Sequence, residues 1–281
     1  MGQRVDLHLH TIASEGTLTL ANQFAYARGH GLSAIAIADR DVLPDDASAI
    51  PLAEQHGVCY IRGVEITAGW NGHEVHVLGY NMDPRQSQLR EALSHIATSR
   101  NAHAQIMLYK LNRLGAHIRM EDVRRYAPFA ACISRAHIAR ALVESGRVAT
   151  MAEAFSSSYI ADDGDCYHPS GTLSAVAAIR LLRSAGGLAV VAHPALWNHR
   201  HGLGEEDLAV LKDAGLNGIE VIHACHTAEE SVRYQALAHK LGLLATGGSA
   251  CRGPDHATIL NFRLDVPAAF AEHLTATAAA A

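Results

Sequence analysis

The stretch Val5-Asp-Leu-His-Leu-His-Thr-Ile-Ala-Ser-Glu-Gly16 decides the reading of this chain. Its first half alternates like a strand, and residues two apart in a strand share a face, so His8 and His10 point the same way. Two imidazoles on one face at a strand end can chelate a metal. An H-x-H pair also occurs in ordinary packing, so the rest of the chain has to decide. Other apolar runs end in the same kinds of residue. Ser33-Ala-Ile-Ala-Ile-Ala-Asp39 closes on an acid, Glu65 follows Gly63-Val64, His76 lies in Val75-His-Val-Leu-Gly-Tyr80, and His193 lies in Val190-Val-Ala-His-Pro194. Core packing does not explain a His or Glu delivered by each of several buried strands. An unpaired polar group is costly there, and coordination satisfies it. His8, His10, Glu65, His76 and His193 are the expected metal ligands.

Strand-like and helix-like segments alternate on either side of a break. Strands are expected at 33–39, 58–62, 64–68, 74–80, 188–193, 218–223 and 243–246, and helices at 19–28, 45–56, 172–185, 205–214 and 228–241. Such alternation argues for a parallel α/β sheet or barrel. Between about Pro84 and Pro169 the rhythm stops and helices are expected at 88–115, 120–126 and 134–146. An all-helical block inside a βα alternation reads as an inserted cap, giving a barrel from 1–83 and 170–281 and a cap at 84–169.

The cap is also where the positive charge lies. The chain has 281 residues and a net charge of −5. From Arg100 to Thr150 nine Lys or Arg stand against three acids, a local +6 that leaves −11 elsewhere. A basic module on an acidic body suits a small anionic ligand and argues against a long nucleic acid. No apolar run is long enough to span a membrane. The five Cys are odd in number and lack C-x-x-C spacing, which reads as reduced thiols and a cytoplasmic location. The 19 His are unusually many and favour metal or phosphate chemistry.

With Ala38-Asp-Arg-Asp41, Gly63-Val-Glu-Ile-Thr67, Ala192-His-Pro194 and Gly248-Ser-Ala-Cys-Arg252 added, the order and spacing of motifs resemble the polymerase and histidinol phosphatase (PHP) family of metal-dependent phosphoesterases. The helical block, with Ile133-Ser-Arg-Ala-His-Ile-Ala-Arg140, resembles the subgroup that dephosphorylates nucleotides and related small esters. The resemblance implies a distorted (β/α)7 TIM-like barrel with an inserted helical cap, binding up to three divalent cations, Mn²⁺, Fe²⁺ or Zn²⁺. It assigns His8, His10 and Glu65 to one metal and Glu65, His76 and His193 to another. It places Arg135 and His137 at positions that contact substrate phosphate, and His226 at a position facing the pocket.

The departures from the family pattern are as informative. Glu15 stands where the family has Asp, Arg40 and Arg252 stand where it has His, and Ala250 stands where it has Asp. A guanidinium is permanently charged and has no lone pair to coordinate with, so the third cation is lost and one or two ions per chain are expected. Both changed histidines belong to one site, and the acid of that site stays an acid. Arg40 and Arg252 can therefore supply the missing positive charge and grip a phosphate, with Glu15 positioning one of them. Asp255 and His256 are weaker substitutes for the altered last motif, and His199 and His201 read as surface residues. The expected function is metal-dependent hydrolysis of a small phosphorylated metabolite, nucleotide or nucleoside-like, by metal-activated water. Two alternatives stay open: an inactive binding protein, and a lyase or cyclase on the same scaffold.

Overall fold

A computed structural model describes residues 4–161, 164–168, 173–197 and 202–253. His199, His201, Asp255, His256 and the Ala-rich tail lie outside the described residues. The barrel strands are β1 (Val5–Leu9), β2 (Ala34–Ile37), β3 (Cys59–Trp70), β4 (His73–Tyr80), β6 (Leu188–Val191), β7 (Gly218–His223) and β8 (Leu244–Gly248). They pair in that order, and the two-residue β5 (Leu173–Ser174) pairs with β3. A parallel bridge from Leu9 to Cys251 brings the ends of the sheet together. The distortion lies at β4, which runs antiparallel to both β3 and β6, whereas β1–β2, β2–β3, β6–β7 and β7–β8 are parallel.

Residues 58–62 and 64–68 were expected as two strands and form one, β3, because Gly63 is not a break. A Cβ there would lie 2.6 Å from the Ile37 carbonyl oxygen, so glycine allows β2 and β3 to approach closely.

Two packing layers hold the barrel. Val5, Leu7, Ala36, Ala38, Leu78, Tyr80, Val190 and Ala192 fill its interior. Outside, Leu9, Ile35 and Ile37 meet Phe24 and Ala27 of α1 (Leu20–Gly29) and Ala49 and Ala53 of α2 (Asp46–His56). Helices α7 (Ala175–Ser184), α8 (Glu205–Asp213) and α9 (Ala228–Leu241) cover β3, β4, β6 and β7. The β1–β2 register shifts between Asp6 and Leu9. Before the shift Leu7 packs inward, and after it Leu9 packs outward, which leaves His8 and His10 both turned towards Glu65.

The helical segment comprises α3 (Ser87–Arg113), α4 (Met120–Arg124), α5 (Arg135–Glu144) and α6 (Met151–Ala154). At 1.5 Å per residue α3 is about 40 Å long and spans two cores. Leu89, Leu93 and Ile96 join the barrel's outer core. Ala104, Met107, Leu108 and Leu111 build a separate core with Val123, Ile138, Leu142 and Ala154.

Candidate metal centre

Glu65 is the centre of the site. It sits fully buried on β3, where burial opposes ionisation, but Arg40, His76 and His8 overcome that and hold its carboxyl well below the usual carboxylate range. His8 Nε2 lies 3.5 Å and His10 Nε2 3.4 Å from Glu65 Oε2. All three atoms are buried and lack a hydrogen-bond partner. Buried polar atoms that face one another without a hydrogen bond are costly, and a cation between them satisfies all three. Two nitrogens and a carboxylate oxygen match the donors that divalent transition ions take.

On the other side of Glu65, His76 Nδ1 lies 2.7 Å and His193 Nε2 3.3 Å from Oε1. Burial keeps His193 neutral, lowering its pKa to about 3. The backbone of His193 is left-handed, with φ of 31°, a conformation that non-glycine residues seldom adopt.

The structure adds a residue that sequence reasoning missed. Glu220 on β7 accepts from His8 Nδ1 at 3.0 Å and from the His193 backbone N–H at 2.8 Å. A ring nitrogen held as a donor leaves the other as a lone pair, so Glu220 aims His8 Nε2 at the centre. Burial favours neutral His8, but the Glu220 and Glu65 carboxylates override it and raise the metal-free imidazole to about 10. His223 flanks this arrangement, with an unpartnered Nε2 close to His8 and Glu220. Gly248 makes room, since a Cβ there would lie 2.2 Å from His8 Cβ and 2.7 Å from Glu220 Oε1.

Arg40 and Arg252 meet on a single oxygen. Glu15 Oε1 accepts from Arg40 Nε at 3.1 Å and Nη2 at 2.8 Å, and from Arg252 Nε at 2.9 Å, with Arg252 Nη2 at 2.8 Å. Burial opposes the Glu15 charge, and Arg252 and Arg40 hold its pKa well below the usual range. Arg40 reaches further in: Nη2 lies 3.2 Å from Glu65 Oε2, and Nη1 contacts the ring nitrogens of His76. Ala250 keeps a left-handed backbone, with φ of 50°, although its side chain offers no ligand. Asp39, at the end of β2, is spent on Thr11 and Ser14, which fix the turn that carries Glu15.

The helical segment contacts this mouth through arginines. Arg100 binds Asp41 and, at 3.1 Å, the Thr67 hydroxyl. Arg140 reaches the Glu15 carbonyl at 3.4 Å. Arg135 lies 3.5 Å from Glu74 and stacks on Tyr167, with 4.8 Å from its Cζ to the ring centroid. His137 is buried, with Nδ1 accepting from the Ser134 backbone N–H. Burial lowers it to about 4. His226 stands one ring further out. Its Nδ1 is held by the Val221 carbonyl at 3.0 Å and its Nε2 accepts weakly from the Ala195 N–H at 3.5 Å.

No family model matches the chain. The 3′,5′-nucleoside bisphosphate phosphatase of Chromobacterium violaceum is 30% identical over 250 residues, covering 89% of this chain and 87% of that protein. The 5′-3′ exoribonuclease Rnm of Escherichia coli is 31% identical over 265 residues, covering 94% and 90%. Among solved structures, a Bifidobacterium adolescentis protein assigned as a metal-dependent phosphoesterase superposes with a TM-score of 0.83 at 32% identity, covering 89% and 88%. With relatives this similar over almost their whole length, the chain belongs to the polymerase and histidinol phosphatase (PHP) family of metal-dependent phosphoesterases.

Proposed function

We propose that this enzyme hydrolyses a small phosphorylated metabolite, a nucleotide or nucleoside-like phosphate ester, at the Glu65 centre. The observation that carries the reading is the convergence of His8 Nε2, His10 Nε2 and Glu65 Oε2, buried and without hydrogen bonds, beside two arginines gathered on one carboxylate oxygen. Mn²⁺, Fe²⁺ or Zn²⁺ suits these ligands, with one or two ions per chain and His76 and His193 as further ligands. Such a cation supplies Lewis acidity to a phosphoryl oxygen and acidifies water.

The chain's own residues do the rest. Arg252 and Arg40 neutralise charge on the non-bridging oxygens, and Glu15 holds the pair in place. Arg252 is the more accessible, with 26% of its side chain exposed against 8% for Arg40. Residues 84–169 act as a cap over a barrel of 1–83 and 170–281. From it Arg135 and His137, with His226 from the loop after β7, contact the substrate. Burial of the ligands beneath this cap suits a small ester better than a long polyanion, and the acidic body points the same way. No described helix is long and apolar enough to cross a membrane. The five free cysteines support a cytoplasmic location.

The test is phosphate release from adenosine 3′,5′-bisphosphate, mononucleotides and a short 5′-phosphorylated RNA, with Mn²⁺ supplied. The small esters should release phosphate, and chelation or His10→Ala should abolish it. Preference for the RNA overturns the small-substrate reading. Conversion of a small ester without free phosphate points to a lyase or cyclase, release of mononucleotides from the RNA counts as RNA preference, and no conversion of any substrate points to an inactive binding protein.

A further inference from the structure

We infer that the site holds a single cation, at His8, His10 and Glu65 Oε2, and that the Arg40 guanidinium permanently occupies the position a second cation would take between Glu65, His76 and His193. The inference rests on the metal-dependent reading above and narrows its one or two ions to one.

Two features separate the candidate sites. The first is spacing. Ligands at about 2.0–2.2 Å around a tetrahedral ion stand roughly 3.3–3.6 Å apart. His8 Nε2 and His10 Nε2 stand 3.5 Å and 3.4 Å from Glu65 Oε2, open to the width of an ion. His76 Nδ1 has closed to 2.7 Å from Glu65 Oε1, which is hydrogen-bond distance. His8 Nε2 and His10 Nε2 are left without hydrogen bonds and Glu65 Oε2 has an ion-pair contact with Arg40 Nη2 at 3.2 Å, whereas His76 has Glu65, Glu74 and Arg40 around its ring.

The second feature is what stands against the His76 ring. A neutral imidazole has one lone pair, and a guanidinium can only donate. Arg40 Nη1 lies against both ring nitrogens, at 2.7 Å for Nδ1, while the ring faces the Glu65 and Glu74 carboxylates, so a cation beside His76 would have to displace a guanidinium already packed there. Arg40 is itself held by Glu15 and by Glu65 Oε2, and a guanidinium stays charged. It cannot leave by losing its proton. A cation beside His76 would meet a fixed positive charge at contact distance. Arg40 therefore replaces the third cation and also bars the second.

The test is metal stoichiometry, by elemental analysis and by calorimetric titration of chelator-stripped protein with Mn²⁺ and, separately, Zn²⁺. Wild type should take up one equivalent. His10→Ala should lose it, His76→Ala should keep it, and Arg40→Ala should gain a second equivalent that Arg40→Ala/His76→Ala does not. Arg40→Met, which keeps an apolar stem of similar length, repeats the measurement if the alanine variant does not fold. Two equivalents in wild type, loss of the only equivalent in His76→Ala, or one equivalent in a folded Arg40 variant overturns the inference. Two ions in an active phosphatase refute only this inference. One ion in a protein that releases no phosphate refutes only the functional reading.

Discussion

Replacing Glu220 by Gln tests whether the metal centre depends on a residue that never touches the metal. The carboxylate is fully buried and accepts from His8 Nδ1 at 3.0 Å and from the His193 backbone at 2.8 Å. Glutamine has one acceptor oxygen, so one of those two donors loses its partner. If the His8 bond is lost, Nδ1 no longer has to be the protonated nitrogen, and Nε2 spends part of its time as a donor aimed at the ion. Hydrogen bonds to charged groups are worth about 1.5–3 kcal/mol, and loss of such an outer partner weakens metal binding by about 10–100-fold. Glu220→Gln should therefore raise the Mn²⁺ dissociation constant by about 10–100-fold. Competition against a chromophoric chelator measures it, and thermal unfolding of the metal-free protein shows that the variant is folded. An affinity within about twofold of wild type, far below that range, refutes the claim that Glu220 orients His8.

Glu15→Gln leaves two guanidinium groups facing each other without the carboxylate between them. It should cost about 3–5 kcal/mol in denaturant unfolding, and an unchanged midpoint counts against the bridge. Arg135→Ala should raise KM by about tenfold, worth about 1.4 kcal/mol, with metal content unchanged, as expected for a substrate contact remote from the metal. His137 has a folded-state pKa of about 4 against 6.5 for the free side chain, so the unfolded chain takes up the proton first as pH falls. Its contribution to stability therefore declines between those values at about 1.4 kcal/mol per pH unit, about 3 kcal/mol in all. Relative to wild type, His137→Gln should lose that part of the acid sensitivity in unfolding measured from pH 7 to pH 4.

Sequence and structure agree most closely where chemistry forces unusual residues into apolar runs. His8, His10, Glu65, His76 and His193 stand out as polar groups in apolar runs, and the structure gathers the four histidines around Glu65, with Glu65 and His76 within β3 and β4 rather than at their ends. Glu220 carried the same signal as the one acid in Gly218-Ile-Glu-Val-Ile-His223, but its partners come from β1 and from the turn after β6, and no local spacing announces them. The meeting of Arg40 and Arg252 on Glu15 followed from reasoning about which ligands had changed. That both arginines share one oxygen, and that Arg40 also reaches His76, required the fold. Arg100 and Arg140 counted in the sequence only as part of a charge excess. The length of α3 and the position of α5 turn them into contacts with Asp41 and with the Glu15 loop. The strands expected at 58–62 and 64–68 join through Gly63, because a glycine needed for close approach has no local mark that separates it from a glycine in a turn.

Phosphate release from adenosine 3′,5′-bisphosphate, followed while chelator-stripped protein is titrated with Mn²⁺, tests the central claim most directly. The account predicts no release from the stripped protein, and a rate that climbs linearly and levels off at one equivalent of metal per chain. Release that persists without metal, or that stays absent at any metal concentration, contradicts it.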